Sequence, residues 1–209
     1  VLFRSAYEKH IASVFDKMKS AGVTDCFVHV RPFADAMYPS ELFPESKYAS
    51  GTEGFDPFRV IIDLAQKNNI DIHAWINPYR ISSKPLTKDS FYYERSREKD
   101  SDIVSLPSGV YFNPCRMGVQ RLIIQGADEL LSNYSIKGIH IDDYFYPPDF
   151  GNKDSKDYNA YRKNGGKLSL SCWRRENVNS RVSALYSKVK SYGEDKIFSV
   201  SPAGNTDRN

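Results

Sequence analysis

The stretch Gly138-Ile139-His140-Ile141-Asp142-Asp143-Tyr144-Phe145-Tyr146-Pro147 decides how this chain of 209 residues is built. Side chains alternate across a strand. Ile139 and Ile141 therefore share one face with Asp143, while His140, Asp142 and Tyr144 share the other. The result is one apolar face and one that turns polar toward the C-terminal end. Three more segments repeat the pattern. In a strand over Val23–Val30 and its continuation, Phe27, His29 and Arg31 oppose Val28 and Val30. Over Ile70–Ile76, His73, Trp75 and Asn77 oppose Ile72, Ala74 and Ile76. Over Ile197–Val200, Ser199 and Ser201 oppose Phe198 and Val200.

Each strand follows a helix-period segment: Tyr7–Ala21, Phe55–Asn68, Met117–Ser132 and Arg174–Ser191. Helix–strand alternation repeated four times predicts an α/β fold with a parallel sheet. Links from helix to strand are short. Links from strand to helix are several times longer, and all lie at the C-terminal ends of the strands, where α/β enzymes build their sites. A doubly wound sheet carries helices on both faces, so both strand faces should be apolar. A β/α barrel needs only one apolar strand face against its helices, and its lumen opens at the mouth. The expected fold is a partial (β/α)8 TIM-type barrel forming one domain over residues 1–209. Its first strand is expected before Val1 and its last strands after Asn209. An open sheet closed by unrecognised strands is the alternative.

Composition narrows the class. Hydrophobic residues are 40% and charged residues 26%, with Lys plus Arg at 29 and Asp plus Glu at 26, a net charge of +3. That balance gives no reason to expect nucleic acid or an anionic membrane as partner. No apolar run reaches the roughly 18–20 residues of a membrane span. Cys26, Cys115 and Cys172 are too few and too far apart for a disulfide framework or a zinc motif. Aromatic residues reach 13%, many in polar or Pro-rich runs such as Phe91-Tyr92-Tyr93 and Tyr144-Phe145-Tyr146. Aromatic faces outside core strands line ligand clefts, and sugars stack on them through C–H faces; loop packing is the plain alternative.

An acidic pair at a barrel mouth suits glycoside chemistry, which needs one carboxylate as nucleophile or base and a second carboxyl as acid. Asp142 faces the lumen and is the first candidate. Asp143 points away, as a supporting or second carboxylate, and Glu176 at the expected start of the fourth helix is a candidate acid. His29, Arg31, His73, Trp75, Asn77, Arg80, His140, Tyr144 and Arg175 are the candidate substrate-binding residues. A divalent metal on His29, His73, His140 and Asp142 is the rival, without support from H-x-H or H-E-x-x-H spacing. A carbohydrate-binding barrel without catalysis is a second rival. No G-x-S-x-G, P-loop or G-x-G-x-x-G occurs, and no cofactor or metal is expected.

The stretches H-V-R-P-F-A-D-A-M-Y-P-S-E-L-F-P (His29–Pro44), H-A-W-I-N-P-Y-R (His73–Arg80), G-I-H-I-D-D-Y-F-Y-P (Gly138–Pro147), W-R-R-E-N-V-N (Trp173–Asn179) and S-V-S-P-A-G-N (Ser199–Asn205) resemble the glycosyl hydrolase-like 10 family from about Tyr7 onward. The resemblance implies a bacterial β/α-barrel glycosidase of the secreted or cell-envelope class. It implies a polysaccharide substrate, with peptidoglycan glycan strands stripped of peptides as one choice. It also implies that the family's first strand, an R-x-x-W segment, and the part after S-P-A-G-N are missing.

Overall fold

A computed structural model describes residues 2–49, 54–142 and 145–202. In chain order it contains α1 (Leu2–Ser20), β1 (Asp25–Arg31), α2 (Pro57–Asn68), β2 (Asp71–Ile76), β3 (Arg80–Ser82), α3 (Tyr93–Ser96) and β4 (Ile103–Leu106). Then come β5 (Gly109–Phe112), α4 (Met117–Asn133), β6 (Gly138–Ile141), α5 (Ser155–Lys163), α6 (Leu170–Lys190) and β7 (Ile197–Val200).

Local chemistry sets the ends of these elements. Asp56 caps α2 by accepting from Arg59 N–H at 2.9 Å, and Pro57 follows where a missing N–H costs nothing. Asn69, at φ 55°, closes that helix in the left-handed region. Ser169 accepts from Cys172 N–H and starts α6 four residues before the expected Arg174.

β1, β2, β6 and β7 form one parallel sheet in that order. Spatial neighbours are successive parallel strands, with no reversal of the kind a doubly wound sheet requires. Every crossover of one hand then places its helix on the same face. Ile72, Ala74, Ile76, Ile139 and Ile141 are buried there against Phe15 of α1, Phe58 and Ile62 of α2, Val119 and Ile123 of α4, and Leu185 and Val189 of α6. Among the described residues no helix packs on Phe27, His29, His73, Trp75 and His140 on the other face. This is a partial α/β barrel, and it excludes the open-sheet alternative. Gly138 is required where β6 meets β7, since a Cβ there would run into the Ile197 carbonyl.

The long strand-to-helix links are not structureless. Between β2 and α4 the chain builds a second, antiparallel sheet in the order β3-β5-β4. Phe112 N–H donates to Tyr79 C=O at 2.8 Å, so this excursion leaves and rejoins the barrel at one place. α5 occupies the link between β6 and α6. All three cysteines are free thiols, and among the described residues no helix is long and apolar enough to cross a membrane.

Candidate active site

The uncovered face of the parallel sheet carries a row of rings. His29 lies flat on Trp75, with centroids 4.1 Å apart and planes 10° apart, and His140 meets Trp75 edge-on at 5.6 Å. Register explains the row, because Trp75 pairs with His29 on one side and His140 on the other. Asp142 follows directly after β6, is 6% exposed, and accepts a hydrogen bond from Trp75 Nε1–H on Oδ2 at 3.3 Å. His140 bonds Ser199 Oγ through Nδ1 at 2.8 Å and Ser201 Oγ through Nε2 at 3.0 Å. Burial lowers the pKa of both His29 and His140. A second imidazole adds to it in each case, His140 for His29 and His73 for His140. Both rings therefore favour the neutral form, in which one nitrogen donates and the other accepts.

One step lower, Phe27 stacks on His73 at 4.6 Å and meets the edge of His140 at 4.9 Å. His73 is 2% exposed, and its Nε2 bonds Asp25 Oδ1 at 3.0 Å, at the N-terminal end of β1. That bond is the largest cause lowering the Asp25 pKa. His73 pairs with Phe27 and Gly138, so it sits below the row that His29 and His140 share. The three histidines are not at equivalent positions as expected. His73 belongs to the floor, away from the mouth. Among the described residues no three His, Cys, Asp or Glu side chains gather as a metal site would require.

One more expected mouth residue is placed elsewhere. Arg31 does not share a face with His29. The pairing runs His29 to Trp75 and then Arg31 to Ile76, so β1 carries one extra residue and Arg31 takes Ile76's side. It is 1% exposed, with its guanidinium 3.6 Å from the Phe43 ring centroid and pressed against Gly126 of α4. Asn77 stays beside the mouth, but its Oδ1 accepts from Tyr79 N–H and Arg80 N–H and is engaged in holding that turn. Arg80 lies 5.5 Å over the Phe33 ring.

On α6, Arg175 and Glu176 are both exposed, and the buried residues are Trp173, Arg181, Leu185 and Val189. Arg175 Nη2 donates to Cys172 Sγ at 3.1 Å. The Glu176 side chain makes no hydrogen bond or ion pair among the described residues, and the residue stands in the second turn of α6, beyond the first turn expected for it. Asp143 and Tyr144 lie outside the described residues. The structure thus unites His29, Trp75, His140 and Asp142, and turns Arg31 away from them.

Residues 5–209 match the family model described as glycosyl hydrolase-like 10. The chain belongs to the glycosyl hydrolase-like 10 family. Curated relatives of this glycosyl hydrolase-like 10 chain include glycosyl hydrolase YngK of Bacillus subtilis (strain 168), 30% identical over 91% of this chain and 39% of its own length. Glycosyl hydrolase DigH of Escherichia coli (strain K12) is 32% identical over 90% of this chain and 46% of its own length. The chain thus spans less than half the length of these relatives. Among solved structures it is similar to alpha-L-fucosidase isoenzyme 2 from Paenibacillus thiaminolyticus, with TM-score 0.66 and 13% identity over 93% of this chain and 29% of that one. It is also similar to the PgaB (BpsB) glycoside hydrolase domain from Bordetella bronchiseptica, with TM-score 0.55 and 13% identity over 93% of this chain and 59% of that one. At such identities the likeness speaks for the fold alone.

Several residues of this candidate site escape a search for charged groups. Phe27, Ser199 and Ser201 lie on the polar strand face by simple alternation, yet they contribute as the ring under His140 and the two hydroxyls on it. Asp25 sits at the opposite end of its strand from the mouth, so no motif draws attention to it. Asp149 accepts from both the N–H (2.9 Å) and the Oγ–H (2.7 Å) of Ser108, which joins the hairpin of β4 and β5 to the segment after β6. Arg174 forms two hydrogen bonds to fully buried Asp154, at 2.8 and 2.5 Å, and fixes that segment to α6.

Proposed function

We propose that this chain carries the carboxylate centre of a glycoside hydrolase acting on a bacterial envelope polysaccharide, with peptide-free peptidoglycan glycan strands as the first substrate to test. The carrying observation is Asp142, held by the Trp75 indole N–H at the C-terminal end of the parallel strands, above a floor of stacked rings. Family membership supports the reaction class. The substrate and a secreted or envelope location rest on the resemblance of the motifs.

A sugar ring placed over Trp75 and His29 brings its anomeric carbon near Asp142. As the glycosidic bond breaks, positive charge grows on the ring, and a nearby carboxylate captures it or activates a water. A second carboxyl must protonate the leaving oxygen, and Asp143 and Glu176 are the groups to compare. Neutral His29 offers a ring nitrogen to sugar hydroxyls, and neutral His140, both of whose nitrogens are bonded to Ser199 and Ser201, places no competing cation beside the developing one.

The test uses the full-length parent protein, peptide-free glycan strands and mass spectrometry of the products. Asp142→Asn keeps the shape and removes the charge. It is expected to lower turnover by at least about 10³-fold with an unchanged melting temperature. Near-normal turnover in the folded variant would move the catalytic carboxylate elsewhere. Glycan binding without any cleavage by the unaltered protein would favour a non-catalytic carbohydrate-binding barrel.

A further inference from the structure

The aromatic run Phe91-Tyr92-Tyr93 takes no part in the site around Asp142. Its first two rings, Phe91 and Tyr92, border a groove of about 430 Å³ between the β1–α2 loop and β3, a volume within the ~300–1,000 Å³ of small-molecule sites. Phe91 is 70% exposed, although burying such a ring is worth roughly 1.5–3 kcal/mol. Its mounting is rigid all the same. Phe91 meets Tyr92 edge-on at 5.0 Å, and Tyr92 meets Phe112 edge-on at 5.4 Å. Tyr92 is 5% exposed and donates from its hydroxyl to Ala34 C=O at 3.0 Å. The turn before it is held by Ser90, which accepts from Thr87 N–H and donates its own N–H to Thr87 C=O.

The rest of the lining sets one ring, Phe33, among aliphatic Ile81 and Leu86 and charges of both signs, Asp35, Lys84 and Asp89 among them. Fixed aromatic faces set among short-range hydrogen-bonding groups of both signs suit a ligand with apolar C–H faces and many hydroxyl or amide groups. They do not suit an apolar helix or a polyanion. The groove and the proposed catalytic site share the C-terminal end of the parallel strands and are linked through a short chain of neighbours. Asp142 follows Ile141, which pairs with Ile76; Asn77 follows Ile76 and holds the Arg80 N–H; and the Arg80 side chain lies over Phe33, the first ring of the groove.

We propose that this groove binds the sugars of the glycan that extend beyond the cleaved linkage, with the Phe91 ring as their stacking platform. The proposal rests on a polysaccharide being the substrate. It makes the chain selective for longer strands, because a short oligosaccharide fills the site at Asp142 without reaching Phe91.

Binding separates this from catalysis. In the full-length parent carrying Asp142→Asn, the affinities of chitobiose, chitohexaose and peptide-free glycan strands are measured calorimetrically with and without Phe91→Ala. A thermal melt confirms that removing this exposed ring leaves the fold intact. Chitohexaose and glycan strands are expected to bind about tenfold more weakly without the ring, and chitobiose unchanged. Equal affinities with and without Phe91, an equal loss for short and long ligands, or no binding of the long ligands would each overturn the proposal. Length-dependent binding in a parent that cleaves nothing would remove the hydrolase proposal and leave the groove standing.

Discussion

Trp75 does two things at one position: its face stacks on His29 and its N–H holds Asp142. The two can be separated. Trp75→Phe keeps a ring in the row and removes the donor. A hydrogen bond to a charged group is worth about 1.5–3 kcal/mol, so kcat is expected to fall roughly 10- to 100-fold, well short of the loss in Asp142→Asn. Kinetics on one glycan substrate with both variants checks this, and equal losses would mean that Trp75 acts by more than its N–H. The buried imidazoles give a second prediction. The pKa of His29 and His140 is depressed in the folded chain, while an unfolded histidine titrates near 6.5. Between those values the unfolded chain binds more protons, so stability is full above about pH 6.5 and falls as pH drops through the folded values. Denaturant melts from pH 7 down to 5 are expected to show that slope, and His29→Asn with His140→Asn to flatten it. At this scale alternation found His29, Trp75, His140 and Asp142, because a period of two needs nothing but the strand. It misplaced Arg31, because an extra residue in β1 is a property of the pairing with β2 and leaves no mark on the sequence of β1 alone.

Elements differ in how openly they declare themselves. α1, α2, α4 and α6 carry apolar side chains at helical spacing over three or more turns, and the four parallel strands carry runs that fit only between helices and lumen. β3 has only three residues, and β4 and β5, though as long as β6 and β7, do not follow a long helix of apolar period that would set them off as strands. They exist because they pair with each other. α5, with Ser155, Lys156, Asp157 and Asn159 among its nine residues and none buried, reads as loop as well. Contact between strands also fixes Gly138. Gly138→Ala must push β7 away from β6 or shift the pairing, with a cost of about 1–3 kcal/mol typical of overpacking. The expected result is a melting temperature lower by several degrees and, since β7 carries Ser199 and leads directly into Ser201, weaker glycan binding. An unchanged melt would mean that the two strands separate more easily than the parallel pairing implies.

The whole molecule exposes 12315 Å², where a folded chain of 23.9 kDa is expected to expose about 9,900 Å². Part of the surplus is the uncovered sheet face, on which Phe27 is 49% and Ile197 40% exposed. β1 and β7 also end the described sheet with unpaired edges. These 209 residues by themselves are therefore expected to self-associate or to melt broadly, as light scattering and calorimetry would show. A sharp monomeric two-state transition would mean that the open face is tolerated. Polar strand ends indicated a lumen from the sequence alone, but no sequence pattern indicates how much of it is covered.

The excursion that builds β3, β4 and β5 leaves and returns through one doorway, where Phe112 N–H meets Tyr79 C=O. A segment attached in this way is an interchangeable fitting. It can be exchanged without moving a barrel strand by one residue, provided that the exchange keeps its ties from Ser108 to Asp149 and from Tyr92 to Ala34; Asp142 itself follows a different strand. Phe91 travels with the excursion. On the proposed function, ligand-length preference and bond-breaking chemistry would then be carried by separate segments of the chain. Grafting residues 80–112 between relatives should transfer the first and leave the second where it was.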